Sequence, residues 1–89
     1  MRESKIEQYL VDAVAYLGGE IRKLQWIGRN GAPDRVVMLP DGRLLWIELK
    51  ATGEKPQPHQ LREHARMARV GQRVHVIDSI EGVDQVLGL

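Results

Sequence analysis

Asp34, Glu48 and Lys50 are the residues of this 89-residue chain whose types and spacing could do chemistry. Glu48 and Lys50 end an apolar run that begins at Leu44. Alternation along a strand puts Leu44, Trp46, Glu48 and Lys50 on one face, and Leu45, Ile47 and Leu49 on the other. Glu48 and Lys50 then project the same way, roughly 6.6 Å apart. Their charges are costly to bury unless something pairs them. A second carboxylate beside Glu48 would repel it unless a cation or proton lay between. Oxygen ligands at that spacing suit a hard divalent ion such as Mg2+. Such an ion lowers the pKa of its bound water and acts as a Lewis acid, which suits a hydrolytic reaction near neutral pH. Lysine adds a compact cation with three donors.

Whether Asp34 stands beside Glu48 depends on a hairpin. Residues 34–39 and 43–50 are apolar runs separated by Pro40-Asp41-Gly42. With a two-residue Asp41-Gly42 turn, Asp34 would lie opposite Leu49 and face away. With a three-residue turn it sits opposite Glu48, with Cβ atoms about 5 Å apart. Proline presets the first turn position, aspartate suits the second and glycine the left-handed third, which favours the three-residue form and its glycine bulge.

The other elements follow from periodicity. Residues 3–17 repeat Ile6, Leu10, Val14 and Leu17 at helical spacing, and Gly18-Gly19 ends the helix. Ile21, Leu24 and Ile27 suggest a first strand, followed by a loop over 28–33. Residues 59–70 read as a helix, with Leu61, Ala65 and Ala68 inward and Arg62, Arg66 and Arg69 on another face. Val74, Val76 and Ile77 form a last strand, and Ile80, Val83, Val86 and Leu87 a short terminal helix. The order α-β-β-β-α-β-α predicts a single α/β domain over 1–89, its mixed four-stranded sheet flanked by helices.

The formal net charge is +1, too little for a general nucleic-acid coat. Its distribution is uneven: residues 51–77 carry five basic side chains against two acidic, and the tail from Asp78 carries three acids and no base. No cysteine is present, which excludes disulfides and thiolate metal sites and favours an intracellular, cytoplasmic setting. No apolar stretch is long enough to span a membrane. His59, His64 and His75 do not read as a zinc site, because five residues misalign the first two on a helix. The glycines at 28 and 31 lack the Gly-Lys-Ser/Thr of a phosphate-binding loop.

Pro33-Asp34 followed by Glu48-Leu49-Lys50 resembles the PD-(D/E)XK motif of restriction-endonuclease-like nucleases. Gly31-Ala32-Pro33-Asp34-Arg35, the strand Trp46 to Lys50, Gln60 and Val74-His75-Val76-Ile77 resemble the VRR-NUC domain, with stand-alone, phage-type members most similar. The resemblance implies a restriction-endonuclease-like core and a metal-dependent DNA endonuclease. Asp34, Glu48 and the Leu49 carbonyl would hold Mg2+, for which Mn2+ would substitute. Lys50 would orient or deprotonate the attacking water, and Gln60 would support the site. An acid from the first helix completes such constellations. Glu7 borders the apolar stripe and is the first choice, and Glu3 is the rival. Lys23, Arg29 and Arg35 flank the site and suit phosphate. Stand-alone relatives look dimeric and resemble junction-resolving enzymes, so the expected partners are branched DNA and a second copy of the chain.

Blander readings sit beside these. Glu48–Lys50 could be a solvated pair on an edge strand, Asp34 a strand-entry residue, and Glu7 and Gln60 ordinary helix-surface groups. Trp26 and Trp46 read more readily as core or interface than as base-stacking platforms. The competing function is a non-catalytic nucleic-acid-binding module that keeps the nuclease fold. A pure binder would gain from replacing the clustered acids.

Overall fold

The computed structural model describes residues 1–89. In chain order it contains α1 (Glu3–Tyr16), β1 (Glu20–Lys23), β2 (Arg35–Met38), β3 (Leu44–Leu49), α2 (Pro58–Arg69), β4 (Val74–Ile77) and α3 (Ile80–Leu87). The four strands form one sheet in the order β1-β2-β3-β4. β1, β2 and β3 run antiparallel, while β4 joins β3 in parallel. A parallel neighbour needs a crossover, and α2 supplies it.

The β2–β3 turn sets the register that the site depends on. Gly42 adopts φ 92°, a conformation that glycine takes at no steric cost. Leu39 N donates to the Arg43 carbonyl at 2.9 Å, closing a loop of Pro40, Asp41 and Gly42. Both Asp41 carboxylate oxygens accept from Arg43, one from its backbone N at 3.0 Å and one from Nε at 2.8 Å. The ladder then pairs Met38 with Leu44, Val36 with Trp46 and Arg35 with Ile47. One further step brings Asp34 opposite Glu48, as the three-residue turn predicts.

The sheet's two faces differ in character. Val37, Leu39, Ile47, Leu49 and Ile77 pack with Ile6, Leu10, Val14, Val83 and Leu87 in one apolar cluster. This core therefore lies between the sheet and the layer of α1 and α3. The opposite face carries Trp46, Glu48 and Lys50 and is covered by α2. Gly18 (φ 77°) ends the first helix in the left-handed conformation, and the Ser79 hydroxyl caps α3 by accepting from Gly82 N at 2.9 Å.

Two expectations fail. The first strand is shorter than its apolar pattern suggested: it stops at Lys23, and Ile27 is 99% exposed on the following loop. Three apolar residues at spacing three fit neither strand alternation nor a buried run. The inward face of α2 is also not Leu61, Ala65 and Ala68. Leu61 is half exposed, while Glu63 and Met67 are buried and Gln60 and His64 point toward the sheet. The helix buries a polar stripe because the sheet face beneath it carries charge.

Candidate active site

Glu48 is the centre of the polar layer, and its side chain is 1% exposed. Burial in an α/β core would normally exclude a carboxylate unless partners compensate. Its Oε2 accepts from Gln60 Nε2 at 2.8 Å and lies 3.7 Å from Lys50 Nζ. Its Oε1 faces His64 Nε2 at 3.8 Å. Burial first, then the Asp34 carboxylate, raise the Glu48 pKa to about 7, against a partial offset from Lys50.

Asp34 immediately precedes β2. Its Oδ2 accepts from Leu49 N at 2.7 Å, so a side chain extends the β2–β3 ladder by one bond. Its carbonyl accepts from Leu24 N at 3.0 Å, which ties it to the β1 side as well. Lys50 N donates to the Ile77 carbonyl at 2.9 Å, carrying the β3–β4 pairing past the strand end. Asp34, Glu48 and Lys50 are thus fixed by three different strand pairings.

Gln60 does two jobs. Its Oε1 accepts from Gln57 N at 2.8 Å in a capping box that starts α2, while its Nε2 holds Glu48. Gln60→Glu should separate them. The glutamate can still accept from Gln57, but it loses the donor to Glu48 and adds a like charge. Cleavage should fall at least tenfold with little loss of helix content, read by nicking assay and circular dichroism. Equal activity would return Gln60 to a capping role alone.

Of the two candidate acids on α1, Glu3 and Glu7, the second is engaged elsewhere: Glu7 Oε2 accepts from Arg35 Nε at 2.9 Å. The Arg35 side chain is only 12% exposed, and it lies on the core-facing side of β2. Glu3 is the acid that feels the site. Burial first, then the neighbouring Asp34 carboxylate, push its pKa above the usual carboxylate range. Lys23 ends β1 and is exposed, and Arg29 is 56% exposed on the loop after it.

Sequence reasoning assigns no role in the site to Glu63 or His64. Glu63 anchors the loop before Asp34: its carboxylate accepts from Trp26 Nε1 at 2.7 Å and Arg66 Nε at 2.8 Å, with Arg29 Nη1 at 3.6 Å. These contacts hold its carboxyl below the usual range, the Arg66 hydrogen bond most of all. Gly31 (φ 93°) allows the loop to lie on α2, since a Cβ there would stand 2.8 Å from Glu63 Cβ and 2.9 Å from the His59 carbonyl. Trp26 also meets Trp46 edge-on, with ring centroids 6.3 Å apart. The signal was present as spacing: Gln60, Glu63, His64 and Met67 form one helical stripe.

No three acidic or histidine side chains converge to enclose an ion unaided. The residues nevertheless fit a Mg2+ site. Such ions are held by one or two carboxylates and complete their shell with water and substrate phosphate oxygens. A buried carboxylate raised to about 7 beside a second one is a donor set that a cation would relieve.

This mixed sheet, with its Asp–Glu-x-Lys hairpin under a glutamine-bearing helix, has the architecture of a restriction-endonuclease-like nuclease. A solved structure described as a VRR_NUC domain superposes with a TM-score of 0.87 at 41% identity, covering 97% of this chain and 94% of that one. The protein "Putative nuclease p44" of Acyrthosiphon pisum secondary endosymbiont phage 1 is 51% identical over 79 residues, which are 89% of this chain and 85% of that protein. No family model matches the chain. On these two relatives the chain belongs to the VRR-NUC family of nuclease domains. No helix is long and apolar enough to cross a membrane.

Proposed function

We propose that this protein is a Mg2+-dependent DNA endonuclease, selective for branched structure and active as a homodimer. The observation that carries the reading is the juxtaposition of Asp34, Glu48 and Lys50 at one end of the central β2–β3 hairpin, with Gln60 bonded to Glu48. Asp34, Glu48 and the Leu49 carbonyl would hold the cation, with Glu3 a better placed helix acid than Glu7. The cation would supply Lewis-acid stabilisation of the phosphoryl oxygens and a more acidic water. Lys50 would orient that water or take its proton, and Gln60 would keep the Glu48 carboxylate in place. Arg29 and Lys23 are exposed and able to meet flanking phosphates, whereas Arg35 is committed to Glu7.

Selectivity for branch geometry is favoured over sequence reading because the exposed cations near the site, Lys23 and Arg29, suit phosphates, which report backbone geometry and carry no base sequence. A homodimer is favoured because one chain offers one such site, while cutting both strands needs two, and two-fold symmetry is the commonest way to pair them. The fully exposed Ile27 adds an apolar group that an interface could cover. The test is a cleavage panel of four-way junctions, flaps, duplex and single strands, with Mg2+ and then Mn2+. Junctions should be cut fastest, with no cutting in EDTA. Light scattering at micromolar concentration should give twice the chain mass. Mixing wild type with Asp34→Ala should produce junctions nicked on one strand. A salt-sensitive gel shift without cleavage in either metal would identify a binding module instead. A monomeric mass with both strands cut in one encounter would end the dimer idea.

A further inference from the structure

Glu48 Oε1 and His64 Nε2 are buried and have no hydrogen-bond partner in the protein. They face each other across 3.8 Å, and the His64 side chain is 12% exposed. A buried polar atom left unpaired costs about 1–3 kcal/mol, so two aimed at one another need a reason. The distance is too long for a hydrogen bond, which would require roughly 2.7–3.2 Å. A shift of less than about 1 Å in either side chain would close it.

The placement follows from α2. His64 lies one turn beyond Gln60, so both project over the same spot on β3. Gln60 bonds one oxygen of Glu48, and His64 faces the other. A neutral imidazole carries one N–H, and the nitrogen that faces an ionised carboxylate is the one that should bear it.

We propose that His64 is a positioning residue of the hydrolytic site, acting through Glu48 by donating from Nε2–H to Oε1 when that carboxylate holds a cation. Gln60 and His64 then fix both oxygens from behind, and each oxygen keeps a lone pair for the ion. The inference rests on the Mg2+ reading above and extends it to a residue outside the Asp–Glu-x-Lys–Gln set. Outer partners that orient a metal-holding group typically contribute 10- to 100-fold in metal affinity or activity, so roughly that loss is expected here.

The test uses the whole chain, with Mn2+ as the probe in calorimetric titration without DNA and a nicking assay alongside. His64→Phe keeps the ring volume but has no donor, and should weaken Mn2+ binding by roughly 10- to 100-fold. His64→Gln can place an amide N–H near the Nε2 position and should recover most of that loss. His64→Asn reaches only toward the Nδ1 position and should not. A His64→Phe protein that melts like wild type and binds Mn2+ with unchanged affinity overturns the proposal. Should that variant not fold, equal affinities of the Gln and Asn variants overturn it. If wild type binds no divalent ion, the metal reading fails separately, and the imidazole tautomer still decides the matter. Nitrogen NMR of the metal-free protein at pH 8.5 should find the His64 proton on Nε2, and a proton on Nδ1 refutes the arrangement.

Discussion

Asp34→Ala and Glu48→Ala are each expected to abolish cleavage, by on the order of a thousandfold or more, while the protein stays folded. Each removes a carboxylate from a pair whose mutual repulsion helps raise Glu48 to about 7. The stability consequence has a definite sign. The folded-state pKa of Glu48 lies above its ordinary 4.5, so the folded state binds more protons than the unfolded state between those values. Without metal, this group favours folding below about pH 4.5 and does so progressively less as pH rises through 7. The loss is on the order of 3 kcal/mol, before relaxation of the site reduces it. Glu48→Gln keeps the shape, stays neutral and should remove that pH dependence. At pH 8 in EDTA it should therefore melt above wild type, by as much as roughly 20 °C before relaxation of the site reduces the difference. Mg2+ should stabilise wild type and not the variant. Since the ion must displace a proton from Glu48, its affinity for wild type should fall as pH drops below about 7. Cutting by either alanine variant at the wild-type rate would refute the assignment. A Glu48→Gln protein with the same pH–stability profile as wild type would refute the electrostatic account.

The parts of the fold that the sequence makes legible are those where local chemistry and global pattern agree. Pro40-Asp41-Gly42 admits one economical turn, and that turn fixes the register that pairs Asp34 with Glu48. The stripe Ile6, Leu10, Val14 faces an apolar core and reads correctly for the same reason. The reading fails where the buried surface is polar. On α2, assigning Leu61, Ala65 and Ala68 to the inside follows the rule that helices bury apolar residues. The face actually buried carries Gln60, Glu63 and His64, because it covers Glu48 and the loop bearing Trp26. A helix whose best-spaced inward stripe is polar is itself a pointer to a site, and spacing locates it once hydrophobicity is set aside. Glu7 illustrates the other limit. Its position beside the apolar stripe was legible, but its partner Arg35 lies 28 residues away on a core-facing strand position, which periodicity alone does not pair with it.

Lys50→Ala is expected to lower cleavage about 100- to 1,000-fold while leaving the metal site usable at alkaline pH. The Lys50 side chain is 12% exposed, and its Nζ stands 3.7 Å from the Glu48 oxygen that Gln60 also bonds. A cation so placed favours the ionised form of Glu48, besides any direct effect it would have on substrate. Removing it should push the Glu48 pKa higher still and weaken Mg2+ binding at pH 7. At pH 8.5, where Glu48 ionises regardless, metal affinity should return and the cleavage defect should remain. That split separates the indirect effect of Lys50 on the metal site from its direct effect on the reaction. Lys50→Arg then distinguishes the two direct roles. Arginine keeps the positive charge but does not give up its proton, so it can steady a phosphate and cannot serve as a base. Substantial activity in the arginine variant would assign Lys50 to charge stabilisation, and activity as low as in the alanine variant would assign it to proton transfer. Loss of Mg2+ affinity at pH 8.5 with DNA binding intact would contradict both, and would place Lys50 in the service of the metal site alone.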